Sequence, residues 1–276
     1  MTITLRNTIW RTSLWMVVLM TVAAIVLLAP HLSVLPGAEE LEMHAAQRWL
    51  MMRWSVGDSS IAWMIVGLFV LSGFAVTGSW WIIRAFRKTT APEMLFFAMF
   101  ILALGLDIWK LGHVVLFFES FAPHVSATVS RIIHFGRFFG MICVFISTLY
   151  LTGIEYQQTG VVLNITALIA LTVVYTMPVD HLTLLPNLTH RLGDELMLQV
   201  VMVVLQLLAI ANVIYAVAYQ KRDEYLPLLL AIPAAIVGRE MVFFLPSLWG
   251  AAVGFVLLAS GAAVVSNRLY RIYLWK

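Results

Sequence analysis

The chain of 276 residues is 62% hydrophobic and only 11% charged, with a net charge of +3 and a mean hydropathy of +0.95. Soluble domains carry about 25% charged residues, so a water-soluble fold of this length is excluded, and basic residues scattered at helix ends exclude a nucleic-acid-binding patch. The single cysteine, Cys143 in an apolar run, excludes an internal disulfide and a CxxC redox pair.

Apolar runs long enough to cross a bilayer recur along the chain, and the ten-residue alternation of a membrane barrel is absent. The expectation is an all-α, multi-pass integral membrane protein of about eight transmembrane helices in one domain, 1–276. Arg6 and Arg11 precede the first span, 12–29, and Pro30 to Pro36 reads as a helix exit; with no small-x-small cleavage site the segment is a retained span. Residues 37–57 place Glu39, Glu40 and Glu42 ahead of the aromatic-rich RWLMMRW, which suits an interfacial helix outside the bundle or a connecting helix packed on it. Further spans follow over 61–83, 93–118, 129–151, 161–177, 194–219, 226–245 and 249–267, with a polar loop at 178–193.

Eight spans put both termini on one side, where Arg6, Arg11, Arg84, Arg87, Lys88, Lys221, Arg222, Arg268, Arg271 and Lys276 gather. The other side holds Arg48, Arg53 and Arg191, with Arg131 at its border. The positive-inside rule then places both termini in the cytoplasm, here of a bacterial cytoplasmic membrane.

Ionisable residues inside these spans are the candidates for function, because each costs at least about 2.5–3.5 kcal/mol to insert unless it faces a partner or a cavity. In DIWKLGH, Asp107, Lys110 and His113 are three apart, and in RIIHFGR so are Arg131, His134 and Arg137; each set shares one helix face. At a rise of ~1.5 Å per residue these sets, with Asp194, Glu195 and Gln199 opening the sixth span and Arg239 and Glu240 near the end of the seventh, lie in the outer half of the membrane. The inner halves read as almost purely apolar. Four cations, Lys110, Arg131, Arg137 and Arg239, stand against Asp107, Asp194, Glu195 and Glu240. Adjacent side chains diverge by about 100°, so Arg239 is expected to reach Asp107 or Asp194, and Glu240 to reach Arg137 or Arg131. Pro233 and Gly238 just before this pair predict a kink that frees backbone carbonyls.

Set against these readings is a structural one, in which balanced buried charges only hold helices in register. Gly136 and Gly140, spaced as GxxxG, mark a close helix contact, and the 14 methionines and 10 tryptophans mark packing and interface belts. The functional expectation is an outward-facing intramembrane polar pocket that binds or transports a small anionic solute entering from the extracytoplasmic side, with Lys110, Arg131, Arg137 and Arg239 as donors. A proton-coupled version would titrate His113 or His134.

The element RIIHFG, 131–136, resembles the Arg-x-x-His of b-haem helices in respiratory cytochromes b. The resemblance covers about six residues and implies haem b as cofactor, held by His113 and His134 with Arg131 or Arg137 on its propionates. The inner half of this helix, VFISTLYL, lacks the second histidine of the two-haem pattern, which leaves one haem or a quinone-reactive subunit. A membrane-embedded hydrolase or transferase finds no HExxH or GxSxG motif, and only Glu240 as a base. A sensor or assembly factor acting through a partner protein, or a homo-oligomer, is the remaining alternative.

Overall fold

The computed structural model describes residues 3–32, 61–86, 91–119, 123–154, 158–185, 187–193, 195–219, 223–244 and 248–274. The segment 37–57, expected to form an interfacial or connecting helix, lies outside these, as does Asp194. Eight helical passes make up the described chain. They are α1 (Ile3–Leu32), α2 (Ile61–Ala85), a third pass of α3 (Pro92–Leu104) and α4 (Lys110–Glu119), α5 (Pro123–Leu151), α6 (Thr159–Thr176), α7 (Glu195–Ala218), α8 (Leu228–Phe244) and α9 (Leu248–Leu274). Seven passes are long and apolar enough to cross a bilayer by length and composition, and α8, at 17 residues, completes the bundle. The chain is therefore a multi-pass membrane bundle. The termini share one face of it, and the connection after α6 lies on the other.

The third pass is the central post. Every residue of α3 from Glu93 to Leu104 is buried, whereas α1, α6 and α7 keep Leu19, Leu168 and Leu207 exposed, as a lipid solvent permits. Between α3 and α4 the helix tightens into a 3₁₀ turn, Gly105–Trp109, that carries Asp107. Neighbours come close on two sides. A methyl group at Gly105 would meet Val17 Cγ1 at 2.4 Å, and one at Gly136 would meet Leu106 Cβ at 2.9 Å. Gly140 likewise sits against Ala103, so the GxxxG of α5 is a helix contact as expected.

Hydroxyl and amide groups tie the passes together where lipid offers no partner. Thr21 and Ser72 join α1 to α2 at 2.6 Å, Ser147 Oγ donates to the Glu93 carbonyl at 2.8 Å, and Asn212 Nδ2 donates to Thr148 Oγ1 at 3.3 Å.

The polar loop at 178–193 departs from expectation. It forms an antiparallel hairpin, β1 (Val179–Leu184) and β2 (His190–Leu192), with Val179 opposite Leu192 and Asp180 opposite Arg191. A register irregularity follows Asp180, and the turn holds Leu188 at φ 60°, a left-handed conformation that a branched side chain adopts only when packing fixes it. Leu188 is buried in a cluster with Ile108, Leu111, Val114 and Val115. The hairpin tip is thus pinned into the bundle beside the third pass, and this face is called the hairpin face below.

Candidate functional site

Five ionisable side chains from three passes meet near the hairpin face. Arg137 of α5 donates from Nη2 to Glu240 Oε2 at 2.8 Å, and Arg239 Nη1 donates to Glu240 Oε1 at 3.0 Å. Arg137 pairs with Glu240 as the spacing predicts. Arg239 does not reach a carboxylate on another helix: its long side chain curls back to its own neighbour, so one carboxylate lies between two guanidinium groups. Asp107 interacts electrostatically with Lys110, Arg239, Arg137 and Glu240, but its buried Oδ1 accepts no hydrogen bond.

Lys110 is held by the end of α8. Its Nζ donates to the Phe243 carbonyl at 3.2 Å and lies 3.9 Å from the Phe243 ring centroid. The last carbonyls of a helix lack intrahelical partners and carry partial negative charge, so a cation there is favourable. The carbonyl taken by Lys110 comes from this helix end, well beyond Pro233, and so is not one that a kink at the proline would free. Gly238 serves packing instead: a methyl group on it would meet the Leu258 nitrogen of α9 at 2.4 Å. The Arg137 guanidinium completes the layer between two rings, 4.8 Å from Phe243 and 4.4 Å from Phe244.

Three cations, Lys110, Arg137 and Arg239, therefore face two carboxylates, Asp107 and Glu240, an excess of one positive charge in this cluster of described residues. Arg239 is 2% exposed, and its Nε and Nη2, like Arg137 Nε, are buried with no hydrogen-bond partner. Such groups are costly in a membrane interior.

A second cluster lies between α4, α5 and the hairpin. His113 Nε2 is 3.0 Å from Ser130 Oγ, and its Nδ1 is 3.4 Å from Ser126 Oγ, which in turn lies 2.9 Å from His190 Nε2. The rings of His113 and His190 meet edge to face at 4.8 Å. His134 Nε2 donates to the His190 carbonyl at 3.1 Å, which makes its Nδ1 the acceptor; that atom is buried without a partner. His190 was invisible as a site residue in the sequence because the hairpin, not a span, delivers it. The alternation of Leu182, Leu184, Leu188, His190 and Leu192 around a Pro-Asn turn was the available signal.

Not every predicted residue joins these clusters. Arg131 is directed to α6, with its guanidinium 4.9 Å from the Tyr175 ring centroid. The side chains of Asp194 and Glu195 lie outside the described residues. Gln199, with Arg137, Glu240, Met202, Val203, Gln206 and Phe244, lines a crevice of about 350 Å³ between α5, α7 and α8. Gln206 was overlooked, although it stands seven residues after Gln199 on the same helix face. A pocket of about 40 Å³ beside Lys110 and Asn187, and one of about 10 Å³ between His134, Arg137 and the hairpin, are of a size for single waters.

Two further ionisable groups lie toward the face of the termini, where the inner halves of the spans read as almost purely apolar. Glu93, buried at the start of α3, accepts a hydrogen bond from the Tyr273 hydroxyl, and Arg6 Nη2 donates to the Phe86 carbonyl at 3.0 Å.

No family model matches this sequence, and no curated protein matches it either. The residues do not fit a bis-histidine haem. Both ring nitrogens of His113 meet serine hydroxyls and His134 Nε2 meets a backbone carbonyl, which leaves His134 Nδ1 alone and not a free nitrogen on each histidine for one iron.

Proposed function

We propose that the bundle binds, and in a transport cycle carries, a small anionic solute at the Asp107–Lys110–Arg137–Arg239–Glu240 cluster. The observation that carries this reading is the excess of one positive charge, Lys110, Arg137 and Arg239 against Asp107 and Glu240, beside a crevice that Arg137 lines. An acidic ligand in that crevice meets Arg137 and neutralises the cluster. Glu240 keeps the two guanidinium groups in place rather than competing for the ligand, because each of its oxygens already accepts one of them.

The same proposal takes the termini as cytoplasmic, on the asymmetry of basic residues, so the site opens toward the extracytoplasmic side. A cysteine placed at the exposed His124 then labels from outside in a Cys143→Ala background, while one at the exposed Ile154 does not. The reverse pattern overturns the orientation.

The charge requirement is tested by thermal unfolding of the purified protein in detergent with octanoate and with the neutral octanol. Octanoate raises the midpoint and octanol does not, and Arg239→Gln removes the difference. Equal responses to acid and alcohol, or an undiminished response in Arg239→Gln, overturn anion binding at this site.

A further inference from the structure

We infer that the ligand is a membrane-dissolved amphiphile with an acidic head group and a single long chain, taken up sideways from the bilayer through the crevice between α7 and α8. This rests on the anion-binding reading above and specifies its ligand.

The crevice walls separate by chemistry and by depth. Glu240 stands four residues, about 6 Å, from the end of α8 at Phe244, and Gln199 about 6 Å from the start of α7 at Glu195. These two, with Arg137, form a polar upper end about one helical turn below the hairpin face. Phe244 caps the crevice at the hairpin face, and below the polar end Met202 and Val203, about 10–12 Å along α7, supply an apolar wall that Gln206 closes at about 16 Å, roughly the half-thickness of a bilayer core of about 30 Å. A head group at Arg137 therefore leaves its chain parallel to the lipid chains of that leaflet.

The opening faces lipid. Val203 lines the crevice and is 50% exposed, and on the same helix Leu196, Val200 and Leu207 are exposed as well. Glu240 is itself 20% exposed within the crevice, and a carboxylate open to bare lipid is unfavourable unless something polar covers it. A soluble anion needs no apolar wall and no lateral opening. A volume of about 350 Å³ falls at the small end of ligand sites, about 300–1,000 Å³, and suits one chain better than two. The acidic head is called for by Arg137, which lines the crevice and belongs to a cluster with one positive charge in excess.

The test uses the full chain in phosphatidylcholine nanodiscs with spin-labelled stearic acid, read as the motionally restricted fraction of its electron paramagnetic resonance spectrum. Wild type restricts a saturable fraction of the probe, oleate displaces it at concentrations at least tenfold below octanoate, and acetate and inorganic phosphate displace it least. Val203→Trp, which fills the rim from the lipid side, lowers apparent affinity at least tenfold; Leu230→Trp, at an 80%-exposed position of α8 outside the crevice lining, does not. Circular dichroism and unfolding midpoints of both variants establish that they fold. Displacement by acetate or phosphate as effective as by oleate, or unchanged affinity in Val203→Trp, overturns lateral uptake and leaves anion binding standing. Restriction of the methyl ester of the probe as strong as that of the acid overturns both.

Discussion

Glu93 and Glu240 are both carboxylates set among membrane-crossing helices, at opposite faces of the bundle, and they are treated differently. Glu93 is 3% exposed, receives the hydroxyl of Tyr273 from the far end of the chain, and passes its backbone carbonyl to Ser147. It joins α3, α5 and α9 and is enclosed by them. Glu240 is held just as firmly, by two guanidinium groups, yet it borders a crevice and its partners keep unfilled N–H groups. A buried charge enclosed by the helices it ties together acts as a clamp. One that leaves capacity unused beside a cavity marks a place for something else to bind.

The largest effect that separates the two belongs to Glu240. Glu240→Gln leaves Arg137 and Arg239 without a carboxylate and is expected to cost about 3–5 kcal/mol, read as a fall in unfolding midpoint in detergent. Replacing Arg137, Arg239 and Glu240 together by Met, Leu and Met restores most of that stability and abolishes octanoate binding. A triple variant that binds octanoate as wild type does would make Glu240 a clamp like Glu93.

Tyr273→Phe is the matching cut at the other face. Loss of a hydrogen bond to a charged group costs about 1.5–3 kcal/mol, with octanoate binding unchanged. A binding defect in this variant would erase the distinction between the faces.

The smallest change is expected at the histidine cluster, where serine hydroxyls pair with ring nitrogens. Ser126→Ala removes the hydroxyl shared by His113 and His190 and should cost about 0.5–1.5 kcal/mol, accompanied by faster amide exchange in β1 and β2. Unchanged exchange would show that Leu188, not the serine, anchors the hairpin.

Much of this was legible in the primary structure, for a physical reason. Spans announce themselves because lipid tolerates only long apolar helices, and Asp107, Lys110, Arg137 and Glu240 stand out because each interrupts such a run. What stayed hidden depends on tertiary return. His190 lies in a polar connection that folds back onto α5, and Glu93 sits beside a proline where a helix start explains an acid well enough. The partner of Arg239 was misread because helical geometry fixes where a side chain leaves the backbone, not where a long flexible one ends. Arg131 shares a face with His134 and Arg137 in a ring diagram, but it is near enough to the helix start for α6 to claim it through Tyr175.

The glycines between α8 and α9 bear on how the crevice moves. A methyl group at Gly238, Gly254 or Gly261 would come within 2.4–2.8 Å of the opposing helix, mostly of its backbone, so these two helices are fused at van der Waals distance along their length. The other wall, α7, packs chiefly on α5 and turns a broad side to lipid. The crevice accordingly has one stiff jamb, and its other wall is the leaf expected to swing. Bilayer thickness is expected to tilt α7, which packs chiefly on α5, more than α8, which is tethered to α9. Spin labels at Val200 and Leu230 should change separation as nanodisc lipids are shortened, whereas labels at Leu230 and Val256 should hold theirs; a fixed distance in the first pair would show that the leaf does not swing.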